Sequence, residues 1–257
     1  MKDPNPLRWQ DFLDEKVDQY NNSAFIESDP IQIPHAFSTK EDQEIAGFLA
    51  ATLAWGNRKM IIKNAKQLLE RMDNAPHSYV MGAAENDLLQ LHTFVHRTFN
   101  GIDAKTFVFG LRHCYTVHGG MEAIFTKYAA ADNLQTAINQ FRTCFFEINH
   151  EKRTQKHISD PLSGSAAKRI NMFLRWMVRN DNRGVDLGLW KNISPAALSC
   201  PLDVHSGRVA RKLDLLLRSQ NDARAVKELD LNLRLLDPSD PVKYDFALFG
   251  LGVFEGF

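Results

Sequence analysis

Apolar residues in this chain recur at three- and four-residue spacing along most of its length, and no run alternates convincingly with period two, so the fold class it can build is all-α. After Ser38-Thr39-Lys40-Glu41, a capping-box pattern, Ile45, Phe48, Leu49, Thr52 and Leu53 line one helix face. Gly56-Asn57 stops that helix, and Ile61, Ala65, Leu68, Leu69 and Met72 form the next stripe. Trp9, Phe12, Leu13, Val17 and Tyr20 repeat the pattern near the start. Downstream, Ile170, Phe173, Leu174, Met177 and Val178 form one stripe, Val209, Leu213 and Leu216 another, and Val226, Leu229, Leu233 and Leu236 a third. Asp240-Pro241 predicts an N-cap and first position for a last helix through Phe246, Leu248 and Phe249. Residues 76–150 read as shorter helices broken by Gly82, Asn100-Gly101 and Gly119-Gly120, with phenylalanines filling the core. Residues 151–165 and 180–200 read as loops, the second with a helical turn over 187–190.

A chain of 257 residues, 44% hydrophobic and 24% charged, is neither disordered, collagenous nor disulfide-built, and it suits one large domain or two lobes. No stretch approaches the ~18 uninterrupted apolar residues of a membrane helix. Met1-Lys2-Asp3-Pro4-Asn5-Pro6 lacks a signal-peptide apolar stretch, so no membrane partner and a cytoplasmic location are expected. Cys114, Cys144 and Cys200 form no CxxC pair, which argues against a structural zinc site or a four-cysteine cluster. His92 and His96 sit four apart on a predicted helix, yet without a HExxH glutamate or a third ligand they read as an ordinary pair, and no metal is expected.

The balance of 31 Lys+Arg against 31 Asp+Glu hides segregation. Residues 151–219 hold 13 basic and 6 acidic residues, leaving 18 against 25 elsewhere. A basic face that a nucleic acid would approach is the expectation.

Two blocks inside that segment carry chemistry. Pro161-Leu162-Ser163-Gly164-Ser165-Ala166-Ala167-Lys168 is a small-residue turn opening into a helix from about Ala166, a place where free N–H groups attract phosphate. Lys168, Arg175 and Arg179 form a basic stripe roughly opposite the apolar one. Lys168 lies in the first turn, where the helix dipole and Arg169 disfavour its ammonium form, the direction an amine nucleophile needs. A solvated helix face behind a capped turn explains the same pattern. In the second block, Pro201-Leu202-Asp203-Val204-His205-Ser206-Gly207-Arg208-Val209, Asp203 precedes a helix with Arg208, Arg211 and Lys212 on its polar face. It reads as an N-cap, and equally as a carboxylate placed to stabilise positive charge on a sugar.

Together the blocks resemble the helix-hairpin-helix superfamily of base-excision DNA glycosylases, the endonuclease III and 8-oxoguanine glycosylase type. Leu162, Gly164 and Lys168 fall at the matching places of its Leu-Pro-Gly-x-Gly-x-Lys hairpin, and Pro201, Asp203, His205, Arg208 and Val209 at those of its aspartate signature. The interval of 35 residues from Lys168 to Asp203 is most similar to the archaeal 8-oxoguanine glycosylase branch. The ending Asp245-Phe246-Ala247-Leu248-Phe249-Gly250-Leu251-Gly252 resembles the superfamily's last core helix, and a bacterial family of unknown function carries a similar C-terminal arrangement. Ser163 and Ala166 depart from the hairpin's Pro and second Gly.

The resemblance implies two helical lobes with a central cleft, one over 43–182 with the hairpin and Lys168 helix, the other over 1–42 and 183–257 with the Asp203 helix. It implies Lys168 as nucleophile and Asp203 as catalytic carboxylate. Ser163, Gly164, Ser165, Arg169, Arg175, His205 and Arg208 would contact DNA, with Asn57 and Arg58 entering from the early helices. The expected substrate is double-stranded DNA bearing a damaged base, such as an oxidised purine, acted on by a monomer without cofactor. A second expectation, favoured by the altered hairpin, is a non-catalytic DNA-binding protein with the same fold.

Overall fold

The computed structural model describes residues 5–257 and is predominantly helical, 63% helix and 2% strand. In chain order the α-helices are α1 (Gln10–Tyr20), α2 (Ser23–Ser28), α3 (Gln32–His35), α4 (Lys40–Leu53), α5 (Arg58–Glu70), α6 (Pro76–Gly82), α7 (Glu85–Leu88), α8 (Gly101–His118), α9 (Met121–Tyr128), α10 (Gln135–Phe145), α11 (Lys168–Val178), α12 (Val204–Lys212), α13 (Ala223–Leu236) and α14 (Tyr244–Val253). Two-residue strands β1 (Val95–His96) and β2 (Phe99–Asn100) pair antiparallel, Val95 with Asn100 and His96 with Phe99. Strands this short leave no alternating pattern in a sequence.

The described residues form two compact units: unit 1 comprises residues 5–25, 129–136 and 160–257, and unit 2 comprises 26–128 and 137–159. The division points differ from those expected. The turn at 161–167 and the Lys168 helix belong with the Asp203 helix in unit 1, where α11 sends Arg175 and Arg179 to Asp186 on the segment after it, to Asp240 just before the last helical stretch and to Asp245 on α14.

In unit 1, α1 and α12 both pack on α14. Their shared core includes Leu13, Val17, Val209, Ala210, Leu229, Leu233, Leu248 and Leu251. Gly250 permits the approach of α1, since a Cβ there would stand 2.1 Å from Tyr20 Cδ2. Pro241 opens a 3-10 turn, Pro241–Lys243, and the last helix proper begins at Tyr244. Residues 187–190 are not helical: the N–H groups of Leu187 and Gly188 donate to Trp176 O and that of Trp190 to Met177 O, so the segment is tied to the end of α11. In unit 2 the expected phenylalanine core is present: Phe48 stacks on Phe107 at 5.6 Å and meets Phe141 edge-on at 5.4 Å. No helix is long and apolar enough to cross a membrane among the described residues.

Candidate active site on unit 1

Lys168 is the first residue of α11, preceded by Ala167 in the left-handed conformation (φ 48). That kink starts the helix two residues later than the sequence pattern suggests. Asp203 caps α12: its Oδ1 accepts from the N–H of His205 at 2.8 Å and of Ser206 at 3.0 Å, and Ser206 Oγ receives the Asp203 N–H at 2.9 Å. The Asn221 amide also donates to Asp203 O at 2.8 Å. With Oδ1 committed to the cap, Oδ2 turns toward Lys168 and lies 3.9 Å from its Nζ. Both side chains keep partial access to solvent, 29% for Lys168 and 21% for Asp203. An amine and a carboxylate 35 residues apart thus meet at the N-terminal ends of two helices.

The wall behind them is ionic. Asp245, on α14, is buried, and burial raises its carboxyl to about 6 although Arg175 pulls the other way. Asp203 pushes it further up while Lys168 lowers it, so Asp245 senses both members of the pair. Cys200 Sγ lies 3.7 Å from Asp245 Oδ1, and the Cys200 N–H donates to Asp230 Oδ1 at 2.9 Å. Burial likewise raises Asp230 to about 6. The folded chain therefore holds a proton that the unfolded chain releases, and Asp230 makes stability fall as pH rises from about 4 to about 6. Asp230→Asn is expected to remove that decline and raise stability at pH 7 by on the order of 1–3 kcal/mol, checked by urea unfolding at pH 4 and pH 7.

Several expected DNA contacts are corrected. Arg175 is buried (3% exposed), bonds Asp186 and Asp245, and lies over the Phe246 ring at 4.3 Å. Arg179 is equally buried among Asp181, Asp186 and Asp240. The basic stripe of α11 is thus an internal ion network below Lys168, and Arg175 has no path to a phosphate. The basic surplus of 151–219 shrinks further, because Arg153 pairs with Asp103, Arg183 with Asp18 and Arg218 with Asp222.

The turn itself is occupied from within. Asp160 Oδ1 accepts the Leu162 N–H at 2.9 Å and its Oδ2 accepts the Ser163 hydroxyl at 2.7 Å. The N–H groups of Gly164, Ser165 and Ala167 donate to Pro161 O, Asp160 O and Ser165 Oγ. Gly164 adopts φ 92, which favours glycine, and its carbonyl accepts from Ala223 N–H at 3.0 Å. Ser163, Gly164 and Ser165 therefore do not present the open phosphate cradle expected of them.

Arg169 is half-buried, and burial draws its guanidinium down to about 10, still charged at neutral pH. Arg208 donates to Gly252 O at 2.8 Å, closing the end of α14, while His205 is exposed beside the capping turn. Asn57 and Arg58 belong to unit 2, where the Asn57 side chain caps α5 by accepting the Met60 N–H at 3.2 Å. Trp176 and Trp190 are fully buried, and Trp55 packs against His96 and His157. His96 lies on β1 and bonds Asn64, so it forms no helical pair with His92.

A family model described as protein of unknown function (DUF2400) matches residues 29–254. The chain belongs to that family. No curated protein and no solved structure matches it. The span matched to DUF2400 takes in Lys168 and Asp203 together with the buried acids behind them. In this DUF2400 chain the sequence pattern did not show Asp245, Asp186, Asp240 and Asp230 as carboxylates facing the interior. The one available signal was chemical: Asp245 interrupts an otherwise apolar last helix, and a buried carboxylate there requires a cationic partner.

Proposed function

We propose that this protein is a DNA N-glycosylase with associated lyase activity, built on a helix-hairpin-helix glycosylase-like fold and acting from the Lys168–Asp203 pair. The observation that carries the reading is the 3.9 Å approach of Lys168 Nζ to Asp203 Oδ2, with both groups partly open to solvent. In this chemistry the target nucleotide leaves the base stack. The unprotonated Lys168 amine attacks the sugar C1′ while the C1′–N bond to the base breaks, the base departing with the bond's electron pair and gaining a proton. Ring opening gives a Schiff base to Lys168, and loss of a C2′ proton expels the 3′ phosphate. Asp203 stabilises the cationic sugar through Oδ2 and takes part in the proton transfers, while Oδ1 keeps the carboxylate in place. The substrate class is damaged double-stranded DNA.

Borohydride trapping on duplexes carrying an abasic site or an oxidised purine tests this. The native protein is expected to form a covalent adduct and Lys168→Gln to form none, with an unchanged thermal midpoint. No adduct with the native protein, or an undiminished one with Lys168→Gln, overturns the reading.

The alternative reading, a helical DNA-binding protein without catalysis, predicts a salt-sensitive gel shift with no base release and no adduct.

A further inference from the structure

Two imidazoles and a carboxylate converge on the surface of unit 2, apart from everything described for Lys168 and Asp203. His118 is the last residue of α8, where Gly119 takes φ 77, and His113 lies about one and a half turns earlier. Glu147 stands two residues past Phe145, the end of α10. Nε2 of His113 lies 2.7 Å and Nε2 of His118 2.9 Å from one oxygen, Glu147 Oε2. The two rings are 5.2 Å apart and steeply inclined at 76°, so they close on that oxygen from different directions. All three donor atoms lie within 4.8 Å of one another.

We propose that His113, His118 and Glu147 bind a divalent transition-metal ion of the zinc, cobalt or nickel type. Metal–nitrogen and metal–oxygen bonds of about 2.0–2.2 Å space tetrahedral ligands roughly 3.3 Å apart, so the Glu147 oxygen has to draw back from each imidazole nitrogen by roughly half an ångström to admit an ion. Two imidazoles with one carboxylate suit such an ion and not magnesium or calcium, which take oxygen ligands. Three protein ligands leave a position for water. The carbonyl ends of α8 and α10 both finish here, and their partial negative charge adds to that of Glu147 in favouring a cation. The side chains are 23%, 24% and 43% exposed, so an ion reaches them from solvent.

The test is titration of the full-length, chelator-treated chain with Co²⁺ followed by visible absorption, then with Zn²⁺ as competitor. One equivalent of Co²⁺ is expected to give a ligand-field band that Zn²⁺ abolishes. His113→Asn, His118→Asn and Glu147→Gln are each expected to weaken binding about tenfold or more. Glu147→Gln preserves side-chain size, so its loss of binding at an unchanged thermal midpoint separates ligation from misfolding. Absence of a one-equivalent Co²⁺ band in the native chain, or its persistence in the His113→Asn/His118→Asn double variant, overturns the proposal. Glycosylase and lyase assays on the same samples report on Lys168 and Asp203 independently.

Discussion

Arg179→Ala is expected to destabilise unit 1 by about 3–5 kcal/mol, the cost of stranding buried carboxylates without their cation. Arg179 reaches Asp181 at 2.8 Å, Asp186 at 3.0 Å and Asp240 at 2.9 Å, and the Asp186 side chain has no solvent exposure at all. Burial opposes the charge on Arg179, yet Asp186, Asp240 and Asp181 outweigh it and hold the guanidinium above its ordinary range. Asp186 retains Arg175 in the variant, but one guanidinium then faces both Asp186 and Asp245. Arg179→Lys should recover only part of the loss, since one ammonium cannot replace a planar fork that bonds several carboxylates at once. Urea unfolding monitored by tryptophan fluorescence reads this directly, because Trp176 and Trp190 are buried in the same unit. A midpoint for Arg179→Ala equal to that of the native chain would show that the network contributes little.

Asp203→Asn should separate two duties of a single side chain. The amide oxygen can keep the Oδ1 bonds to His205 and Ser206 N–H, so the α12 cap survives and the stability change stays small. The Oδ2 position facing Lys168 loses its charge, and base release is expected to fall on the order of 10²–10³ if the pair performs the proposed chemistry. Asp203→Ala removes the cap as well and should cost about 1 kcal/mol in addition. Single-turnover cleavage of a lesion-bearing duplex, beside thermal melts of all three proteins, checks the separation. Equal rates for native and Asp203→Asn would remove Asp203 from the mechanism.

The apolar stripes of α4, α5, α11 and α13 were legible because burial on one helix face repeats every three to four residues. The cap role of Asp203 was legible because capping is local in sequence. Arg175 and Arg179 were misread for the opposite reason. Their partners lie as far away as Asp240 and Asp245, and an ion pair between distant segments leaves no periodic trace, so buried arginines looked like a solvated face. The unit boundary follows them, since those pairs tie α11 to α14 and to the turn that precedes it. Asp160 was overlooked in the phosphate reading of the turn, although a carboxylate two and three residues before potential donors is a familiar turn former. The pairing of Lys168 with Asp203 was legible only through resemblance, because nothing in their spacing alone requires contact.

The turn at 160–167 also carries a thermodynamic consequence. A backbone phosphate docking there has to evict a carboxylate tethered to the same chain, so the event is an exchange of one anion for another. Lys and Arg contacts to DNA ordinarily release condensed cations, and each adds to the steepness with which affinity falls with salt. An exchange at Asp160 adds a repelled negative charge and no new cationic contact. On the proposed reading as a DNA-acting protein, Asp160→Asn is therefore expected to tighten duplex binding while leaving the slope of log affinity against log salt nearly unchanged, a signature that titrations at several ionic strengths would distinguish from the gain of an extra lysine.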